Sequence, residues 1–191
     1  MSLGLFDSHA ALRARYDAAR SAGPMPTGVV MDQLLSASAA IINGKRTPTV
    51  GTHNYLGLAF EEACIEAAIA AVRREGTGTC GSRIANGSFS DHVALEQELA
   101  DFYGMRHAMV ISTGYQANLG IISTLVGAGD YLLLDADSHA SIYDACNQTQ
   151  PNAIRFKHND AASLDARLRR IEDPPGNKLV VVKGNNSMLG D

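Results

Sequence analysis

From Ser90 onward the apolar positions follow two alternating rhythms. One is the three-to-four-residue spacing of a helix with a single buried face. The other is a short unbroken apolar run, as in a strand covered on both sides. SDHVALEQELADFYG places Leu95, Leu99 and Phe102 at i, i+4 and i+7 of a helix, and HAMVIS after it reads as a short buried strand. TGYQANLGIISTLVG reads as a helix ending near Gly127, and DYLLLD as a strand. SHASIYDACNQT reads as a helix capped by Ser138, and NAIRFKH as a strand with Ile154 and Phe156 on one face. DAASLDARLRRIE is a helix capped by Asp160, with Leu164, Leu168 and Ile171 turned inward and Asp165–Arg169 as an i,i+4 pair; KLVVVK closes the series as a buried strand.

The rhythm is different before Ser90. Asp7 or Ser8 can cap a helix running to about Arg20, with Leu12 and Tyr16 on one face. AAIINGKRTPTVG reads as a hairpin turning at Asn43-Gly44, and Pro48 confines that ribbon to a sheet edge. EEACIEAAIAAVRRE, residues 61–75, consists of strong helix formers and stops at Gly76. The expected architecture is therefore α/β: a mostly parallel sheet flanked by helices over residues 56–191, with residues 1–55 as an N-terminal helix-and-hairpin arm. A sheet halted after KLVVVK would have a bare edge, so the polypeptide is expected to be part of something larger.

Composition changes this picture little. With 46% apolar and 19% charged residues over 191 positions, the chain can fill one sizeable core. Sixteen basic against twenty acidic residues give a net charge of −4, which supplies no electrostatic reason to expect nucleic acid as a partner. Cys64, Cys80 and Cys146 show neither C-x-x-C pairing nor zinc spacing, as expected for reduced, buried thiols in a cytoplasmic protein. No apolar run approaches the about 18 residues of a spanning helix.

The chemistry turns on two glycine stretches. GTGTCG, residues 76–81, spells the G-x-G-x-x-G of dinucleotide-binding turns, but that turn needs a strand before it and a helix after it. Here a helix precedes, and SRIANGSFSDH follows with glycine and polar breakers. The stretch is left as a glycine-rich loop, or one whose amides and Arg83 face a ligand or a partner subunit. VISTGYQANLG offers a better anion site, because a strand ends, a turn follows and a helix opens. Free amides of Gly114, Tyr115 and Gln116 would point outward there, with Thr113 as cap; an ordinary capped helix start fits the same letters. In LLLDADSHAS the strand delivers Asp135 and Asp137 to its carboxyl end, with His139 one turn from the same edge. That histidine is either a structural helix start or a group that lies against a planar ring or moves a proton. No second histidine stands at ligand spacing, so no metal site is expected. His92 reads as an exposed first-turn residue. His53 and Asn54 either form a turn with Asn as cap or reach a ligand.

GTHNYLGL, GTGTCGSRIANGSFSDHVALEQELADFYG, STGYQANLGIISTL and LDADSHASIYDAC, four blocks in order over about residues 50–191, resemble the α-oxoamine synthases. These are fold-type I enzymes dependent on pyridoxal 5′-phosphate (PLP). The wording is most like the branch that joins serine to a long-chain acyl-CoA. The resemblance implies the large PLP-binding domain, incomplete, in a homodimeric cytoplasmic acyltransferase, with peripheral membrane proximity through its lipid substrate. It implies a decarboxylating condensation of an amino acid with an acyl-CoA that gives a 2-amino ketone, CoA and CO2. It implies that Gly114 and Tyr115 hold the PLP phosphate, that His139 stacks on the ring as a catalytic residue, and that Ser187 bonds near the cofactor. It also places Asn54, Cys80 and Arg83 toward substrate or the dimer interface.

Three features depart from the family. Its Schiff-base lysine and the aspartate that pairs the pyridine nitrogen belong to segments beyond this length. Its Glu-Gly-Val-Tyr-Ser-Met run reads KGNNSM here, with Lys183, Asn185 and Asn186 in place of an acid, an apolar residue and an aromatic; and His53 stands where many members carry Asn. A non-catalytic partner or degenerate subunit is the alternative these departures leave. We expect no ketone product when these 191 residues alone are given amino acid and acyl-CoA; a product detected by mass spectrometry would overturn that expectation.

Overall fold

The computed structural model describes residues 9–23, 28–171, 176–184 and 189–190. Ser187, Asn185 and Asn186 lie outside the described residues, as do Asp7 and Ser8, the caps expected for the first helix, whose N-cap position is held by His9. The chain divides into two compact units, Met1–Ser88 and Phe89–Asp191.

The first unit begins with α1 (Ala10–Ala22), which buries no residue; Leu12 and Tyr16, on its apolar stripe, are exposed. The predicted hairpin is present as β2 (Ala39–Ile42) and β3 (Lys45–Pro48), paired antiparallel from Ala39↔Pro48 to Ile42↔Lys45. Asn43 and Gly44 sit at φ 51° and 72°, the left-handed pair that a tight turn between twisted strands requires. A third strand, β1 (Gln33–Ser36), pairs with β2 and was not legible in the sequence. The helix α2 (Glu62–Glu75) also buries no residue. Cys64 on it and Cys80 beyond it are exposed, so the expected burial of thiols fits only Cys146 in the second unit, where burial pushes the thiol up.

The second unit holds α3 (Ser90–Tyr103), α4 (Gly114–Leu125), β4 (Tyr131–Asp135), α5 (Ala140–Thr149), β5 (Asn152–Phe156), α6 (Ala161–Arg169) and β6 (Lys178–Val181). Its sheet is parallel in the order β5-β4-β6, so the α/β expectation is met. Leu132, Leu133 and Leu134 of the central strand are at most 1% exposed. Because side chains alternate across a strand, Leu132 and Leu134 join Ile122, Val126, Ile142 and Ala145 of the α4/α5 layer. Leu133 joins Phe156 and Ile171 on the α6 side, with Ile154, Leu164 and Leu168 packed against them as the pattern predicted.

Two strand expectations change. HAMVIS is not a strand, and the Val110 N–H donates to Glu96 Oε1 at 2.9 Å. KLVVVK does form β6, but at the sheet edge. It is only half-buried, with Val180 37% exposed. Among the described residues no helix is long and apolar enough to cross a membrane.

Carboxylates pin both ends of β4. At its start, Asp130 accepts from the backbone N–H groups of Gly127 (2.9 Å) and Asn177 (2.8 Å), which holds its carboxyl below the ordinary value. A Cβ on Gly176 would lie 2.2 Å from the Gly129 carbonyl oxygen, so only glycine permits this approach of the β6 lead-in. At the strand's end, burial alone would raise the Asp135 carboxyl, but donors from Asn159 N–H, Asp137 N–H and His158 outweigh it and lower the pKa. Those donors lie at 3.0, 2.8 and 2.8 Å.

Two outcomes are expected. A folded-state pKa below the unfolded one stabilises the fold fully above the unfolded value of about 3.9, and that stabilisation is lost as pH falls through the lower folded value. Urea denaturation midpoints should therefore drop as the pH falls below about 4, and Asp135→Asn should flatten that acid limb. Gly176→Ala should destabilise the second unit by roughly 1–3 kcal/mol in the same assay, because the added carbon meets backbone rather than a movable side chain.

Candidate functional site

The amino ends of α4 and α5 meet the end of β6 around a cavity of about 310 Å³, lined by Gly114, Tyr115, Asn118, His139, Val181 and Lys183 among others. Three of the sequence-predicted residues, Gly114, Tyr115 and His139, thus converge.

The opening of α4 is built by Thr113. Its Oγ1 accepts the Gln116 N–H at 3.1 Å and donates to Gln116 Oε1 at 3.3 Å. The Gln116 amide is therefore not free, contrary to expectation, because the cap consumes it. The amides of Gly114 and Tyr115 remain without intrahelical acceptors. A Cβ on Gly114 would meet nothing within 4 Å, so the space beside this backbone is open. The Tyr115 hydroxyl donates a hydrogen bond to Asp144 Oδ2 on α5, and that bond raises the phenol's pKa. The hydroxyl is thereby committed to the neighbouring helix, which leaves the residue's backbone N–H for a ligand.

At α5 the structure corrects the cap. His139, not Ser138, holds the N-cap position, and its Nδ1 accepts the Ser141 N–H at 3.2 Å. The Ser138 Oγ is buried with no hydrogen-bond partner among the described residues. The physical reason is register: with the helix opening at Ala140, only residue 139 reaches the N–H two positions on. Ser141, fully buried, places its Oγ 2.7 Å from His139 Nδ1 and accepts from Asn118 Nδ2 at 2.9 Å. The His139 ring stands edge-on to that of Tyr115, with centroids 6.5 Å apart at 79°.

Sequence reasoning missed Asn118, Ser141, Asp144 and His158. Asp144 and His158 sit 29 and 23 residues from their partners Tyr115 and Asp135, distances at which spacing carries no signal. Ser141 could have been found as the N2 residue of a helix capped at 139. Asp135, Asp137 and His158 form a cluster whose ligand atoms lie within 4.8 Å of one another. Asp135 already accepts from three donors there, so the cluster reads as a structural pin at the ends of β4 and β5.

Asn54, Cys80 and Arg83 lie in the first unit. Asn54 is a turn residue whose Oδ1 accepts the Ala59 N–H at 3.3 Å. Arg83 donates from Nε to Ser88 Oγ at 2.8 Å. Cys80 adopts φ 48° in an irregular loop that follows α2, so the strand–turn–helix context of a dinucleotide turn is absent there. His92, in the second unit, is a helix-capping residue whose Nδ1 accepts the Phe89 N–H at 3.1 Å.

No family model matches the chain. Among curated proteins it is 56% identical over 189 residues to a serine palmitoyltransferase of Caulobacter vibrioides, covering 99% of this chain and 47% of that protein. It is 42% identical over 154 residues to an 8-amino-7-oxononanoate synthase of Geobacter metallireducens, covering 81% of this chain and 39% of that protein. A solved S. paucimobilis serine palmitoyltransferase variant with bound PLP–myriocin aldimine superimposes at TM-score 0.93 and 49% identity, covering 98% of this chain and 49% of that one. The chain spans about half the length of the curated relatives it matches. Identity across two branches of one enzyme group, joined to the same fold, shows that the chain belongs to the α-oxoamine synthase family.

Proposed function

We propose that the chain supplies the phosphate-holding and ring-stacking side of a PLP site in an acyltransferase. That enzyme would condense an amino acid, serine by its relatives, with an acyl-CoA. The observation that carries this reading is the convergence of the open α4 amides and the His139 ring on one cavity. The residues fit the group: a dianionic phosphate suits two N–H groups without intrahelical acceptors at a helix start, and a flat pyridine ring suits a flat imidazole. The absence of a Gly114 side chain leaves room for the phosphate to approach the backbone.

When bound, PLP serves as an electron sink that stabilises negative charge at the amino acid's α-carbon. The reaction forms a carbon–carbon bond from that α-carbon to the acyl carbonyl, breaks the thioester C–S bond, and loses the carboxylate as CO2. Within it Gly114 and Tyr115 hold the phosphate through their N–H groups. The Asp144–Tyr115 bond ties α4 to α5 and so fixes the spacing between phosphate cradle and imidazole. Val181 and Val182 supply the apolar part of the cavity's lining. A homodimeric, cytoplasmic enzyme is the assembly this reading favours. The loop at residues 76–81 and Arg83 would serve its subunit interface, and Ser187 would lie near the cofactor.

PLP titrated into the protein from its natural source should bind saturably, as followed by its absorbance and by equilibrium dialysis. Gly114→Ala should leave the circular dichroism spectrum unchanged, since its methyl meets no protein atom, and should weaken PLP binding by roughly tenfold through lost amide–phosphate hydrogen bonds. Equal affinity in the variant, or no saturable binding in the parent, would remove the reading.

A further inference from the structure

His139 is held through one nitrogen by two different groups of one residue. The Ser141 N–H donates to Nδ1 at 3.2 Å, and the Ser141 Oγ lies 2.7 Å from the same atom. A backbone N–H can only donate, so the nitrogen it meets must carry a lone pair. With no proton on Nδ1, the Ser141 hydroxyl is the donor in the 2.7 Å contact, and its oxygen accepts in turn from Asn118 Nδ2 at 2.9 Å, which orients it. Ser141 is fully buried, so no water competes for these contacts. Among the described residues nothing pairs with His139 Nε2.

We propose that Ser141, oriented by Asn118, locks neutral His139 in the tautomer whose proton sits on Nε2. The imidazole edge left to the cavity is then a hydrogen-bond donor before any ligand arrives. Asn118 and Ser141 are positioning residues that act through His139. The helix cap and the ring's protonation pattern are one device: a proton on Nδ1 would break the α5 cap. The inference rests on the reading of His139 as a residue on the cofactor side of the site, but its test does not require PLP.

The test is the imidazole nitrogen signature of His139 in the histidine-labelled chain, recorded by long-range proton–nitrogen NMR at a pH where the ring is neutral, without PLP. The parent should show an unprotonated Nδ1 and a protonated Nε2. Ser141→Ala removes the hydroxyl donor but keeps the backbone cap, and should move the tautomer ratio roughly fivefold toward Nδ1–H, the size of one modest hydrogen bond. Asn118→Asp is close in shape. Its carboxylate would draw the hydroxyl proton away, freeing Oγ to accept from Nδ1–H, so it should move the ratio at least as far in the same direction. If the buried Ser141→Ala void prevents folding, Asn118→Asp decides alone. A parent with Nδ1 protonated, or a folded variant with the parent's signature, overturns the proposal. A PLP titration of the same samples keeps the two readings apart: absent binding with the expected tautomer removes the proposed function and leaves this inference standing.

Discussion

The second unit depends on one strand that cannot face water. Leu132, Leu133 and Leu134 in β4 have essentially no exposed surface, so both sides of the sheet must be covered. Helices α4 and α5 cover one face and α6 the other. This places the helix starts near the carboxyl ends of the strands, where a parallel sheet presents its ligand sites. Burial of each leucine is worth about 1.5–3 kcal/mol relative to exposure, and that holds the strand in place.

Around that strand the polar chemistry is mostly capping chemistry. Thr113, His139 and Asp160 each accept a backbone N–H at the opening of α4, α5 and α6. Two of the three are ordinary caps. The third is an imidazole, and its use there ties a structural hydrogen bond to a group with acid–base character. The Tyr115–Asp144 bond does similar work between helices, joining the two segments that carry the cavity's polar lining. The site is therefore set by a few side-chain bonds between α4 and α5, and the sheet supplies its floor.

Much of this was legible in the residues. The Asn43-Gly44 hairpin, the helices from Glu62, Ser90 and Gly114, the strand at Tyr131 and the Asp160 cap follow from local chemistry, and the structure contains them. Gly114, Tyr115 and His139 were found because strand-to-helix turns carry a local signal. What escaped depends on neighbours that no window reveals. Residues 107–112 have strand letters but are not a strand in the structure, and β1 needed β2 beside it to be a strand at all. Ser138 outranks histidine as a cap by propensity, yet the start of α5 at Ala140 assigned the position to His139. His158 meets Asp135 only because β4 and β5 lie side by side.

The two ladders of β4 differ in chain entropy. Pairing β4 with β5 closes a span of 22 residues at Asp130–Asn152, and pairing with β6 closes one of 47 at Asp130–Asn177. The cost of closure grows only with the logarithm of length, so doubling the span adds about 0.6 kcal/mol. One backbone bond of the longer ladder, such as Tyr131 N–H to the Asn177 carbonyl at 2.8 Å, offsets that difference. The long crossover over β4 is therefore nearly as cheap for the chain as the short one. The second face of the sheet is covered at little extra loss of conformational freedom.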